Sequence, residues 1–460
     1  MGNIIIKNGL ILTMDRNRTV IRHGVIEVKD TQVTYVGAEP GLTASQTAAK
    51  VIDARGKVVM PGLINGHTHL CMTFGRTVCH DLNLMDWINK VQYPLMDEMG
   101  EEGYYLAEMI GCMENLRNGN TTVVENLVAS NREGVTADRG SVKAYQETGL
   151  RGILVRSYAD QNYYPNAIEK GGDILSRCRE LIQECRRVGN GKLKVCVGPV
   201  LPWSSSREMF KKVIQLSEAF DIGLHMHASE NADWNVRGQE VHGFPTNISI
   251  FKEFGLLGPK TAIAAMRVIS DEDIKNLSET GTGLIHDPPA TLNRGTGLPP
   301  IPKALAMGVR VGLGSNALGQ DMFETMKAAG WVARTVDGSP TALPMNVALE
   351  MATIRNAEIL GLDGQVASLE VGKKADIITV NLKRFHHAPC LNVISALVHC
   401  SSGSDVEDVI VDGRVVVEGG RFVDLDETSI LQEAFERALF CAKKAHLEDR
   451  LLPLFLNGHP

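Results

Sequence analysis

The chain lacks most features that would place it at a membrane, on a nucleic acid or in an oxidising compartment. No run of about 18 apolar residues occurs, so no segment reads as a membrane-spanning helix. The first residues, MGNIIIKNGLILTMDRN, have no charged start, apolar core and small-residue cleavage site of the secretory kind. Gly2 stands where an acylation signal would begin, but Ile6 occupies the position that needs Ser or Thr, and the segment runs on into a strand pattern. Basic residues form no cluster, and a net charge of −7 argues against a nucleic-acid footprint. The nine cysteines include no CxxC pair and an odd one over, which points to reduced, buried thiols. Neither GxGxxG nor a P-loop follows an early strand, which disfavours a doubly wound nucleotide-binding sheet. A cytoplasmic protein acting on a small molecule, with no nucleic-acid or membrane partner, is the expectation.

What is present is a change of texture along the chain. Residues 3–59 alternate apolar and polar positions between tight turns, as in GVIEVKDTQVTYVG, and the same texture returns in ADIITVNL and VEDVIVDGRVVVEGGRFV. Neither segment has a second layer of its own, so residues 1–59 and 371–425 are expected to pack together as one composite β-sandwich. Between them, over 60–370, eight short apolar runs alternate with helical stretches: GLINGHTHL, NTTVVENLV, GLRGILVRSY, LKVCVGPV, DIGLHMHASE, TAIAAMRVI, TGLIHDPP and GVRVGLGSN. Near-continuous apolar strands separated by helices predict an all-parallel sheet, and eight such units fit a closed (β/α)8 TIM barrel. The predicted class is therefore α/β. Residues 426–460 form a C-terminal unit whose segment 430–450 reads as one amphipathic helix.

The polar residues of these runs gather at their C-terminal ends, where barrel enzymes place their chemistry. His67 and His69 are two apart at the end of the first run, so both side chains leave one face, and His225 and His227 repeat the arrangement on the fifth. Glu230 follows His227 by three. Core histidines bonded to carbonyls are the alternative, but histidine is seldom clustered in barrel cores. Neutral imidazoles converging from different strands are a standard way to hold Zn2+ or Fe2+.

PGLINGHTHL followed by HxHxxE resembles the amidohydrolase superfamily. FGRTVCHDLNLMDWINKVQYPLMDEM, SLEVGKKADIITV and LVHCSSGSDVEDVIVDGRVV are similar to its branch of cytosine-type and adenosylhomocysteine deaminases and triazine hydrolases. The resemblance implies a hydrolase with one divalent ion, Zn2+ first and Fe2+ as the other candidate. That ion activates water for attack on a C–N or C–halide bond of a small N-heterocyclic substrate. It also implies His67, His69 and His227 as metal ligands, Glu230 as the acid/base, and Trp87, Arg156 and His286 as substrate contacts. A homodimer is in keeping with that branch.

Four positions depart from the pattern. The eighth strand normally ends in a metal-binding Asp that takes the water's proton, and Asn316 stands there, a weak oxygen ligand that is no base at pH 7. Ala265 replaces the sixth-strand His, and Val200 replaces a His in the fourth-strand motif. Asp287 also stands where an Asn usually follows His286. These losses favour a leaving group that departs without protonation. The competing expectation is a lyase, isomerase or non-catalytic relative on the same scaffold.

Overall fold

The computed structural model describes residues 3–38, 50–130 and 137–452. Gly2, residues 39–49 of the N-terminal segment and 453–460 of the tail lie outside the described residues.

Five strands open the chain: β1 (Ile4–Leu12), β2 (Val20–Lys29), β3 (Gln32–Ala38), β4 (Lys50–Asp53) and β5 (Lys57–Pro61). Eight more follow: β6 (Leu63–Thr68), β7 (Asn120–Leu127), β8 (Arg151–Tyr158), β9 (Leu193–Pro199), β10 (Gly223–His227), β11 (Thr261–Ala264), β12 (Gly283–His286) and β13 (Arg310–Leu313). The last four are β14 (Ile377–Asn381), β15 (Val406–Val411), β16 (Arg414–Glu418) and β17 (Arg421–Phe422).

Strands β6 to β13 pair in sequence order, all parallel, with helices between them. The sheet closes where the ends meet: Thr68 bridges Asn316 in parallel, and the Asn316 N–H donates to the His67 carbonyl at 3.0 Å. This is the (β/α)8 barrel expected of the alternating runs. The seam of the barrel is thus made by residues of the polar cluster itself. Strand side chains are buried throughout β6, β7 and β8, as both-faces-covered parallel strands require.

Strands from both ends of the chain enter one nine-stranded sheet, in the order β17-β16-β15-β14-β5-β1-β2-β3 with β4 on β1. The two ends join where β14 runs antiparallel to β5, from Ile377 opposite Pro61 to Asn381 opposite Lys57. Ile4, Ile6, Ile26, Val59, Ile377 and Ile410 form part of a hydrophobic cluster separate from that of the barrel. No helix of the described residues is long and apolar enough to cross a membrane.

The C-terminal helix spans Glu427–Lys444, three residues earlier at its start than the periodicity placed it. Asp426 accounts for the difference, since its carboxylate accepts the N–H groups of Thr428 and Ser429 as an N-cap. Its Arg437 donates to the Met99 carbonyl at 2.6 Å, which ties the helix to the base of the long helix Gly100–Arg117.

A buried ion cluster of Arg151 with Asp376 and Asp412 links the barrel to the terminal sheet. Arg151, at the start of β8, makes a bidentate contact with Asp376 at 2.7 and 3.0 Å, and the side chains are 3% and 1% exposed. Arg151 Nη2 also reaches Asp412 Oδ1 at 3.4 Å, so removing Asp376 leaves the buried guanidinium one longer contact. Asp376→Ala is therefore expected to lower unfolding free energy by about 3 kcal/mol, the low end for a broken buried pair. Urea unfolding followed by circular dichroism checks this, and a loss under about 1 kcal/mol would contradict it.

Candidate active site

His67 lies on β6, and His69 caps the short helix Leu70–Gly75 that follows the strand. His225 and His227 lie on β10. The four rings pack face and edge at centroid distances of 4.9–5.2 Å, almost wholly buried. His69 Nδ1 faces the Asn126 carbonyl and His227 Nδ1 the Val200 carbonyl, each at 3.0 Å. A carbonyl only accepts, so both Nδ1 atoms carry the proton and both Nε2 atoms are bare lone pairs. Those two Nε2 atoms stand 3.2 Å apart. His67 Nε2 is buried with no partner, while its Nδ1 lies 2.9 Å from His225 Nε2.

The donor nitrogens of His67, His69 and His227 all fall within 4.8 Å of one another. Two bare imidazole nitrogens and the unpartnered Nε2 of His67 converge in a dry site, an arrangement that is costly unless a cation lies between them, so this set fits a divalent metal. Burial, and for His67 and His69 the neighbouring imidazoles, push these rings well below the usual histidine range. Burial brings His227 down to about 4. All three are thus in the neutral form that ligates.

Glu230 enters from the loop after β10, where Ser229 takes φ +51° and turns the chain. Its Oε1 accepts from Arg267 Nη1 at 2.7 Å and Arg294 Nη1 at 2.6 Å. Burial raises the carboxyl, and the two guanidiniums outweigh it, holding its pKa below the ordinary value. Arg267 also donates to Asp287 Oδ2 at 2.9 Å, and Asn316 Nδ2 donates to the same oxygen at 2.6 Å. Arg294 Nη2 reaches Asn316 Oδ1 at 3.3 Å, which closes a ring of two guanidiniums, two carboxylates and one amide. Ala265, where the resemblance places a histidine, takes φ +63° at the exit of β11 and carries the chain to Arg267.

A pocket opens on this cluster, walled by Trp87, Tyr163, Leu201 and Trp234 and floored by His69, His227, Glu230 and Asn316. Arg294 stacks over the Trp87 ring at 5.0 Å. A larger concavity, of about 430 Å³, lies at the opposite mouth of the barrel among Cys185, Gly223 and Lys260. It holds no convergent donor set, so the chemistry belongs to the smaller pocket at the strand C-termini.

Of the residues singled out in the sequence, His67, His69, His227, Glu230, Asn316 and Trp87 come together. Arg156 does not line the pocket: Glu169 holds its guanidinium through both carboxylate oxygens at 2.7 Å, with Asp138 at 3.5 Å. His286 is buried beside Arg267 and does not line the pocket either. Three residues escaped the sequence reading. Arg267 and Arg294 form the ring around Glu230, and Glu125 accepts the backbone N–H groups of Leu70 and Cys71 at 2.7 and 3.2 Å, just after His69. Arg267 and Glu125 had a signal, namely a charge inside an apolar run (TAIAAMRVI, NTTVVENLV); Arg294, the last residue of the short helix Pro288–Arg294, had none.

Comparison with known proteins bears on the same stretch. The profile of the Amidohydrolase family matches residues 58–416. The chain is 32% identical over 442 residues to the 5'-deoxyadenosine deaminase of Methanosarcina mazei, covering 95% of this chain and 98% of that one. It is 31% identical over 441 residues to the 5-methylthioadenosine/S-adenosylhomocysteine deaminase of Moorella thermoacetica, covering 95% and 99%. Among solved structures, an adenosine deaminase from Xanthomonas campestris with bound zinc superposes with a TM-score of 0.87 at 23% identity, over 96% of this chain and 98% of that one. The atrazine chlorohydrolase of Arthrobacter aurescens complexed with zinc does so with a TM-score of 0.86 at 22% identity, over 95% and 100%.

Proposed function

The chain belongs to the amidohydrolase family, and from that premise we propose that it is a metal-dependent hydrolase of a C–N or C–halide bond in a small N-heterocyclic substrate. The observation that carries this reading is the grouping of donor nitrogens of His67, His69 and His227 within 4.8 Å of one another, beside the pocket that His69, His227 and Glu230 line. The relatives are named for deamination, which weighs against a lyase, an isomerase or a non-catalytic role.

His67, His69 and His227 would hold the ion, for which we propose Zn2+, with Fe2+ as the other candidate. When bound, such an ion supplies a Lewis acid that lowers the pKa of water towards neutrality. Asn316 lines the same pocket, but its Oδ1 already accepts the Ala317 N–H at 2.8 Å, so its contribution as a ligand is weak.

Glu230 carries the proton. Both guanidiniums contact Oε1 and leave Oε2 clear of these bonds. Held ionised, Oε2 receives one proton of the attacking water and delivers it to the ring nitrogen beside the reacting carbon. As the C–N or C–halide bond breaks and the carbon becomes a carbonyl, the same carboxylate takes the remaining hydroxyl proton and passes it to the departing amine, which leaves as ammonia, or to solvent when a halide anion leaves. No second base is needed, which accommodates Asn316 in place of a carboxylate. The apolar wall of Trp87, Leu201 and Trp234 excludes bulk water and packs the heterocycle.

Elemental analysis tests the metal site. About one ion per chain is expected in the parent protein, and its loss is expected in both His67→Ala and His227→Ala. Full retention in either variant, or no metal in the parent after metal-supplemented growth, would overturn the site.

A further inference from the structure

The charges around the pocket bear on the charge of the substrate, on the footing of the hydrolase reading above. Arg267 and Arg294 face Glu230 and Asp287, so within the ring two positive groups balance two negative ones. The donor set offered to a metal is wholly neutral: three imidazoles, with Asn316 an amide. A dication there keeps both charges with no carboxylate among these ligands. In a site this dry the excess is poorly screened, and a bound anion offsets it.

The free polar groups of the pocket wall point the same way. Trp87 and Trp234 line the pocket, and their indole Nε1–H groups are buried with no acceptor in the protein. A buried donor without a partner is costly until a ligand supplies the acceptor. Arg294 is the guanidinium in the wall: its side chain is 11% exposed, against 0% for Arg267. The two contacts described for it leave further N–H groups to offer. Of the acceptors nearby, Glu230 Oε1 is engaged by two guanidiniums and Asn316 Oδ1 by Ala317 N–H and Arg294, and Glu230 Oε2 is the one left for the reacting water.

We propose that the substrate is an anionic N-heterocycle, bearing a carboxylate or an ionised ring oxygen, and that Arg294 binds this group together with the N–H groups of Trp87 and Trp234. Arg294 is then a specificity-determining residue, and the substrate differs in charge from the neutral nucleoside named in the deoxyadenosine deaminase relative.

Zinc-loaded protein titrated calorimetrically with pyrimidine-5-carboxylate and its neutral isostere pyrimidine-5-carboxamide tests the assignment. The parent is expected to bind the carboxylate at least about tenfold more tightly. Arg294→Met should lose that preference, read as the ratio of carboxylate to carboxamide affinity within each variant, while Arg294→Lys should keep part of it. Circular dichroism reports whether each variant is folded, and the parent and Lys variant decide alone should the Met variant not fold. A carboxamide bound as well as the carboxylate, no measurable carboxylate binding by the parent, or an undiminished preference in folded Arg294→Met would each overturn the proposal. Zinc content measured on the same samples separates the two readings. Zinc present without a carboxylate preference sinks the substrate class alone. A carboxylate preference without zinc removes the metal-dependent hydrolase and leaves the Arg294 assignment standing.

Discussion

Glu230→Gln is expected to retain the metal and lower kcat by at least about a hundredfold, because the amide at position 230 cannot take up and pass on a proton between water and ring. The amide matches the carboxylate in shape, so the histidine cluster is undisturbed. Stability should also fall, by about 3 kcal/mol, since Arg267 and Arg294 share this one carboxylate and a neutral group leaves them with Asp287 alone. Steady-state kinetics on the turned-over heterocycle, elemental analysis and denaturant unfolding read the three effects separately. Near-parent turnover by a folded, metal-containing Glu230→Gln protein would show that Glu230 is not the proton carrier. The mechanism proposed above would then be wrong whatever the metal content.

The second large effect concerns Asn316 and Asp287. Taken alone, a carboxylate at 316 strengthens the metal site, since a carboxylate is a better partner for a dication than an amide. The structure changes that expectation. Asn316 Nδ2 donates to Asp287 Oδ2 at 2.6 Å, so Asn316→Asp sets two carboxylates against each other. Like charges this close do not both ionise, and the pair keeps a proton. The single variant should therefore gain little metal affinity. The double variant Asn316→Asp/Asp287→Asn exchanges amide and carboxylate across the same contact, and its affinity for Zn2+ should exceed the single variant's by about tenfold or more. Competition against a fluorescent chelator measures both. Equal gains in the two variants would mean that the contact with Asp287 does not govern the ligand at 316.

Much of this protein is legible in its sequence because the relevant signals are local. Period-two alternation at both ends and eight apolar runs between helices follow from which faces must be buried, and burial is written residue by residue. The His-x-His spacing is legible for the same reason: two residues apart on a strand, both side chains must leave the same face. Arg156 shows the limit of such reading. Its position on a barrel strand suits a substrate contact, yet Glu169 and Asp138, brought by other segments, claim its guanidinium. Nothing local in RGILVRSY records that.

The sequence by itself determined the barrel, the histidines at its strand ends and the acid beside them, because hydrophobic period and strand geometry act over a few residues. The tertiary structure alone decided what state those groups are in. Glu230, Arg267, Asp287, Arg294 and Asn316 come from four separate loops at the mouth of the barrel, and only closure of the sheet at Thr68 and Asn316 sets them within hydrogen-bond reach. Electrostatic interactions in a buried site depend on distance and on exclusion of water, and neither quantity is carried by spacing along the chain. The Asn316 and Asp287 departures are separate oddities in the sequence. In the fold they are two halves of one contact.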